Sequence, residues 1–126
     1  MAKLPRISNA EWEVMNVLWE RSPQSANDVV AALADRTDWN PRTVKTLLNR
    51  LVKKGVLATD VQGKAYLYTP KVSRQSCVRQ VSRSLLDRVF DGNAAAMLVH
   101  LVQEASLSPR EVEELRQILD EKGKRP

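Results

Sequence analysis

Residues 40 to 55 carry a full set of helix signals, and they constrain the fold more than any other stretch. Asn40 is a capping residue, and Pro41 takes the first helical position, where its missing N–H costs nothing. Val44, Leu47, Leu48 and Leu51 then recur at the spacing that lines one face of a helix. Gly55 ends the segment, because glycine enters a left-handed helix cap without strain. The opposite face consists of Arg42, Thr46, Asn49 and Lys53, flanked by Thr43 and Arg50, and it holds no carboxylate. A solvated helix normally mixes both signs of charge.

Two helices precede this one. Ser8 and Glu11 form a capping box ahead of Trp12, Met15, Leu18 and Trp19, an apolar stripe at helical spacing. After Ser22-Pro23-Gln24, a second box of Ser25 and Asp28 opens a short helix on Val29, Val30 and Leu33, expected to end near Thr37. That leaves Asp38-Trp39-Asn40 as the turn before the third helix. Beyond Gly55 the pattern becomes β-prone: Val56–Thr59 and Ala65–Thr69 flank a polar turn from Asp60 to Lys64 with Gly63 at its tip, and Pro70 stops the second strand. Three helices followed by a hairpin is the layout of a winged helix-turn-helix.

The fold class is therefore mainly α with a small β-hairpin wing, with residues 1–70 as a nucleic-acid-binding domain and 71–126 as a helical dimerisation region. In the second part, Val78, Val81, Leu85 and Val89 share a face between Ser73 and Phe90, and Asp91-Gly92-Asn93 makes a turn. Ala94 to Glu104, including Met97, Leu98 and Leu101, is apolar nearly all round and reads as a helix buried on most sides. A capping box at Ser108 and Glu111 opens a last helix on Val112, Leu115, Ile118 and Leu119. These stripes exceed what so few residues bury alone, and a second copy of the chain is the simplest cover.

Charge follows the same division. The 126 residues carry a formal net charge of +5. Arg42, Lys45, Arg50, Lys53, Lys54 and Lys64 face only Asp60 in the middle of the chain, whereas residues 104–121 are predominantly acidic. A basic middle favours a polyanion partner. On a major-groove helix Arg42 suits guanine or phosphate, Thr43 and Thr46 suit phosphate or a thymine methyl, and Asn49 suits adenine. Gln62 and Lys64 at the wing tip would position the protein on the backbone.

The remaining chemistry is sparse. One cysteine, Cys77, precludes an intramolecular disulfide, and one histidine, His100, precludes paired-histidine metal sites. No Gly-rich phosphate loop occurs, so an enzyme is not expected, nor is a metal or other cofactor. Cys77 reads as structural filler, His100 as a satisfied core histidine, and Trp12, Trp19 and Trp39 as core packing. The apolar run from Ala94 to Val102 is far short of the ~20 residues that span a bilayer, and Met1–Arg6 has no apolar stretch behind its basic start. The expectation is a cytoplasmic protein without membrane insertion.

The segments Ala10–Trp19, Asp38–Leu51 and Lys53-Lys54-Gly55, with Leu107-Ser108 and Glu113–Leu119 near the C-terminus, closely resemble the penicillinase-repressor family, which includes the methicillin-resistance repressor. The resemblance implies a homodimeric winged-helix repressor of inverted-repeat operators, dimerised through its C-terminal helices, with Arg42, Thr43 and Thr46 at positions that approach bases. In β-lactam-responsive members a membrane sensor's signal leads to cleavage of an Asn-Phe bond in the dimerisation region. The matching position here is His100-Leu101, so a sensor-linked protease is an implied partner whose target bond departs from the family pattern. The copper-responsive branch carries C-terminal cysteines, and none follows Cys77. The competing readings are a winged-helix protein-interaction module and a regulator of the same fold with a different inducer.

Overall fold

Ser8 caps the first helix as its spacing to Glu11 predicts. Its Oγ accepts the Glu11 N–H at 3.1 Å while the Glu11 carboxylate accepts the Ser8 N–H at 2.8 Å. The same reciprocal box forms at Ser25 with Asp28 and at Ser108 with Glu111. In the computed structural model, which describes residues 4–124, these caps open α1 (Asn9–Glu20), α2 (Ala26–Leu33) and α6 (Pro109–Gly123). The other elements are β1 (Gln24–Ser25), α3 (Pro41–Lys53), β2 (Leu57–Gln62), β3 (Ala65–Pro70), α4 (Arg74–Val89) and α5 (Ala94–Glu104). The basic start Met1-Ala2-Lys3 and the final two residues lie outside the described residues.

Two compact units divide between Val81 and Ser82, within α4. The first unit therefore continues past Pro70 and takes in the first half of α4. Its core is built from Val14, Met15 and Leu18 of α1, Val29 and Leu33 of α2, Val44, Leu48 and Leu51 of α3, Val56, Leu57 and Cys77. Trp12 and Trp19 pack against this core edge-to-face, their ring centroids 5.3 Å apart, and Trp39 also packs on it. Burial pushes the Cys77 thiol pKa up, consistent with a packing role.

The sheet has three strands in the order β1-β3-β2, all antiparallel. The sequence reading contained only the hairpin. β1 is two residues long and pairs Gln24 with Tyr68 and Ser25 with Leu67. The hairpin strands also run further than expected, with Asp60 paired to Leu67 and Gln62 to Ala65, which leaves only Gly63 and Lys64 in the turn. Gly63 adopts φ +63°, the left-handed conformation such a tight turn requires. α2 stops at Leu33 rather than near Thr37, because the N–H groups of Arg36 and Thr37 and the Thr37 hydroxyl all converge on the Leu33 carbonyl. The connection to α3 is correspondingly longer than the expected three residues.

In the second unit, from Ser82 onward, the expected burial does not occur. Among the described residues of α5 and α6 none is buried, and Leu98, Leu101 and Val102 are about half exposed. His100 is not a core histidine either: it is exposed, with its ring 6.1 Å from that of Phe90. A helix apolar on most sides can be covered only where enough neighbouring surface exists, and this unit has too few elements to supply it. No helix among the described residues is long and apolar enough to cross a membrane.

Candidate nucleic-acid interface

The face of α3 away from the core is set by how the helix is fixed at its two ends. At the N-terminus, Asn40 Oδ1 accepts the Thr43 N–H at 2.9 Å and the Thr43 hydroxyl at 3.3 Å. At the C-terminus, the Gly55 N–H reaches the Val52 carbonyl at 3.0 Å and the Val56 N–H the Leu51 carbonyl at 3.1 Å, a Schellman motif with Gly55 at φ +82°. Between these ends Val44, Leu47, Leu48 and Leu51 are buried. Arg42, Lys45, Thr46, Asn49, Arg50 and Lys53 are consequently exposed, and Thr43 is half-buried.

No ion pair among the described residues involves Arg42, Lys45, Arg50, Lys53 or Lys64. Their charges are available to an external anion. The Thr46 hydroxyl already donates to the Arg42 carbonyl at 2.9 Å, so toward a partner it offers oxygen lone pairs and a methyl group. Thr43 is similarly committed as a donor to its cap.

Part of this face joins the wing. Lys45 and Asn49 of α3, Lys64 at the wing tip, Tyr66 and Tyr68 of β3, and Ser25 and Asn27 at the start of α2 line one open groove of about 450 Å³. Three residues assigned to DNA from sequence, Lys45, Asn49 and Lys64, thus meet in one place. Arg42, Thr43, Thr46, Arg50, Lys53 and Gln62 lie outside that lining. The sequence reading missed Ser25, Asn27, Tyr66 and Tyr68. Tyr66 and Tyr68 share a strand face through their two-residue spacing, the one local signal that could have revealed them. Lys54 is placed differently from its basic neighbours: its ammonium turns to the Glu11 carboxylate and the Arg6 carbonyl. A groove with basic residues, tyrosines and amide side chains, and with no carboxylate in its lining, suits a phosphate backbone and base edges.

The penicillinase-repressor family model matches residues 7–121. The chain belongs to the penicillinase-repressor family. As a member it is a DNA-binding transcriptional repressor of winged-helix fold, and not an enzyme. The penicillinase repressor of Bacillus licheniformis is 38% identical over 121 residues, covering 96% of this chain and 94% of that protein. The methicillin-resistance regulatory protein MecI of Staphylococcus aureus strain N315 is 35% identical over 120 residues, covering 95% and 98% respectively. A solution structure of the Bacillus licheniformis BlaI monomeric form in complex with the blaP half-operator superposes with a TM-score of 0.53 at 41% identity, covering 60% of this chain and 93% of that one.

Proposed function

We propose that this repressor acts as a homodimer on a two-half-site operator in duplex DNA, with α3 reading the major groove and the wing holding the backbone. The observation that carries the reading is the carboxylate-free outer face of α3, whose cations have no ion-pair partner among the described residues. Arg42, Thr43, Thr46 and Asn49 are the base-reading candidates, while Lys45, Arg50, Lys53, Gln62 and Lys64 position the protein on phosphates. The half-operator complex of the 41%-identical BlaI supports duplex DNA as the ligand.

The dimer is supported by apolar surface that a single chain leaves uncovered. Val78, Val81, Val89, Leu98, Leu101, Val112, Leu115 and Leu119 are exposed, and Leu85 and Met97 are half-buried. A continuous cover for such stripes comes most simply from the same stripes of a second chain. Residues 71–126 then serve dimerisation and residues 1–70 serve DNA. The relatives' names support control of β-lactam-resistance-type genes, and a repressor that binds DNA in a bacterial cell acts in the cytoplasm. The resemblance to β-lactam-responsive members supports release from DNA by a sensor-linked protease that cuts at His100-Leu101, within α5.

Footprinting on the DNA flanking the chain's own gene tests the reading. Two protected half-sites of inverted symmetry are expected, with centres ~34 Å apart or a multiple of that, as paired recognition helices require. Flanking DNA left unprotected at saturating protein, or a single protected half-site, would count against it.

A further inference from the structure

Lys54 is the C-cap residue of α3, and its neighbour Gly55 begins the passage to β2. It therefore stands at the junction between α3 and the wing, the two elements proposed to touch DNA. Its ammonium donates to Glu11 Oε1 and, at 2.8 Å, to the Arg6 carbonyl. Glu11 lies in the first turn of α1 and is only 1% exposed. The oxygen that receives Lys54 also accepts the Ser8 N–H at 2.8 Å, so the N-terminal cap of α1 and the C-terminal cap of α3 share one atom. Glu11 Oε2 is buried without a hydrogen-bond partner among the described residues.

A buried carboxylate of this kind adds little net stability, because its desolvation offsets the attraction, but the pair is strongly directional. Charge-assisted hydrogen bonds fix where the cation sits. An apolar contact at the same place would hold the two helices together without fixing the position of the α3 cap. Lys54 is also withdrawn from phosphate by this arrangement, since its charge is balanced inside the protein.

We propose that Glu11 is a positioning residue for DNA recognition, holding the junction of α3 and the wing through Lys54 so that the two DNA-facing surfaces keep one relative placement. The inference rests on the reading of α3 and the wing as the DNA-contacting elements. It assigns Lys54 to geometry and not to phosphate neutralisation.

The test uses the full chain with Glu11→Gln, Lys54→Met, the double variant and Lys54→Arg. The probes are a duplex enriched from a randomised pool by the unsubstituted protein and a scrambled duplex of the same composition. At a temperature where circular dichroism shows each variant folded, both single substitutions should weaken binding to the enriched duplex by about tenfold and leave the scrambled duplex within about twofold. The double variant should be no worse than either single one, and Lys54→Arg should retain most of the discrimination. The salt slope of Lys54→Met should match that of the unsubstituted chain.

Parallel losses on both duplexes, additive single losses, or a salt slope reduced by about 0.9 in Lys54→Met would overturn the proposal, the last by making Lys54 a phosphate contact. If Glu11→Gln does not fold, Lys54→Gln against Lys54→Arg gives the same comparison. A protein that enriches no duplex overturns the DNA reading and this proposal with it. Enrichment with unaltered discrimination in the variants overturns the proposal alone.

Discussion

The indole N–H of Trp19 donates to the backbone carbonyl oxygen of Val72 at 3.0 Å, tying the first helix to the chain just beyond the wing. Trp19 also packs edge-to-face on Trp12, so one side chain joins the C-terminal end of α1 to the exit from β3. This link helps to place the start of α4 within the first compact unit, although the hairpin itself closes at Pro70.

Trp19→Phe keeps most of the apolar area and removes the donor. The Val72 carbonyl then loses its partner at a partly buried site, and the first unit should be destabilised by about 1–3 kcal/mol. Urea unfolding should show a lower midpoint with an unchanged slope, and DNA discrimination should be unaffected once the protein is folded. A midpoint equal to that of the unsubstituted chain would show that the hydrogen bond contributes nothing net.

Arg42→Ala and Thr46→Ala should each lower affinity for the specific duplex by roughly 1–3 kcal/mol, with little effect on random DNA. Lys64→Ala should weaken both about equally and reduce the salt slope by about 1. Fluorescence anisotropy on the two duplexes separates these outcomes, and equal losses on both for all three variants would remove the base-reading assignment.

Acid should loosen the helix caps. Burial pushes the Glu11 carboxyl pKa up, but the hydrogen bond from Lys54 and those with the Ser8 backbone and hydroxyl together outweigh it and hold the group below its ordinary 4.5. Asp28 and Glu111 are lowered by hydrogen bonds with the Ser25 and Ser108 backbone and then with their side chains. A carboxyl with a lowered folded-state pKa binds protons more readily in the unfolded chain. Its contribution is complete above the unfolded value and disappears as pH falls through the folded value. Thermal midpoints should therefore be steady above the ordinary carboxyl range and drop below about 4.5, with a shallower drop in Glu11→Gln. An identical acid profile in that variant would mean that Glu11 contributes nothing to it.

These caps were legible in the sequence because each box spans four consecutive residues. The recognition-helix face was legible for the same reason, since its buried and exposed sides follow from periodicity alone. β1 was not, because Gln24 and Ser25 become a strand only through Tyr68 and Leu67, more than forty positions away. Lys54 read as one more cation in a basic run, since nothing local reveals Glu11 beside it. His100 and its apolar neighbours show the converse error: a pattern that says a surface wants cover does not say that the same chain supplies it.

A chain ending at Val99 keeps every core residue of the first unit and loses α6 with the second half of α5. It should fold in its DNA-binding part, sediment mostly as a monomer and lose about 10²-fold to 10⁴-fold in operator affinity, as expected when two linked half-site contacts become independent. Full dimerisation and affinity in this fragment would place the dimer contacts elsewhere, and cleavage at His100-Leu101 could not then release the repressor.

The central claim, that the carboxylate-free face of α3 and the wing beside it read duplex DNA in sequence, is tested most directly by titrating the full chain against its footprinted flanking duplex and a scrambled duplex. The salt range should run from about 50 to about 200 mM. Affinity for both should fall linearly on logarithmic axes as counterions are released, and the specific duplex should remain at least ~10³-fold tighter near physiological salt. Equal affinity for the two duplexes across that range would contradict sequence reading by α3, and binding indifferent to salt would contradict phosphate recognition by its cations.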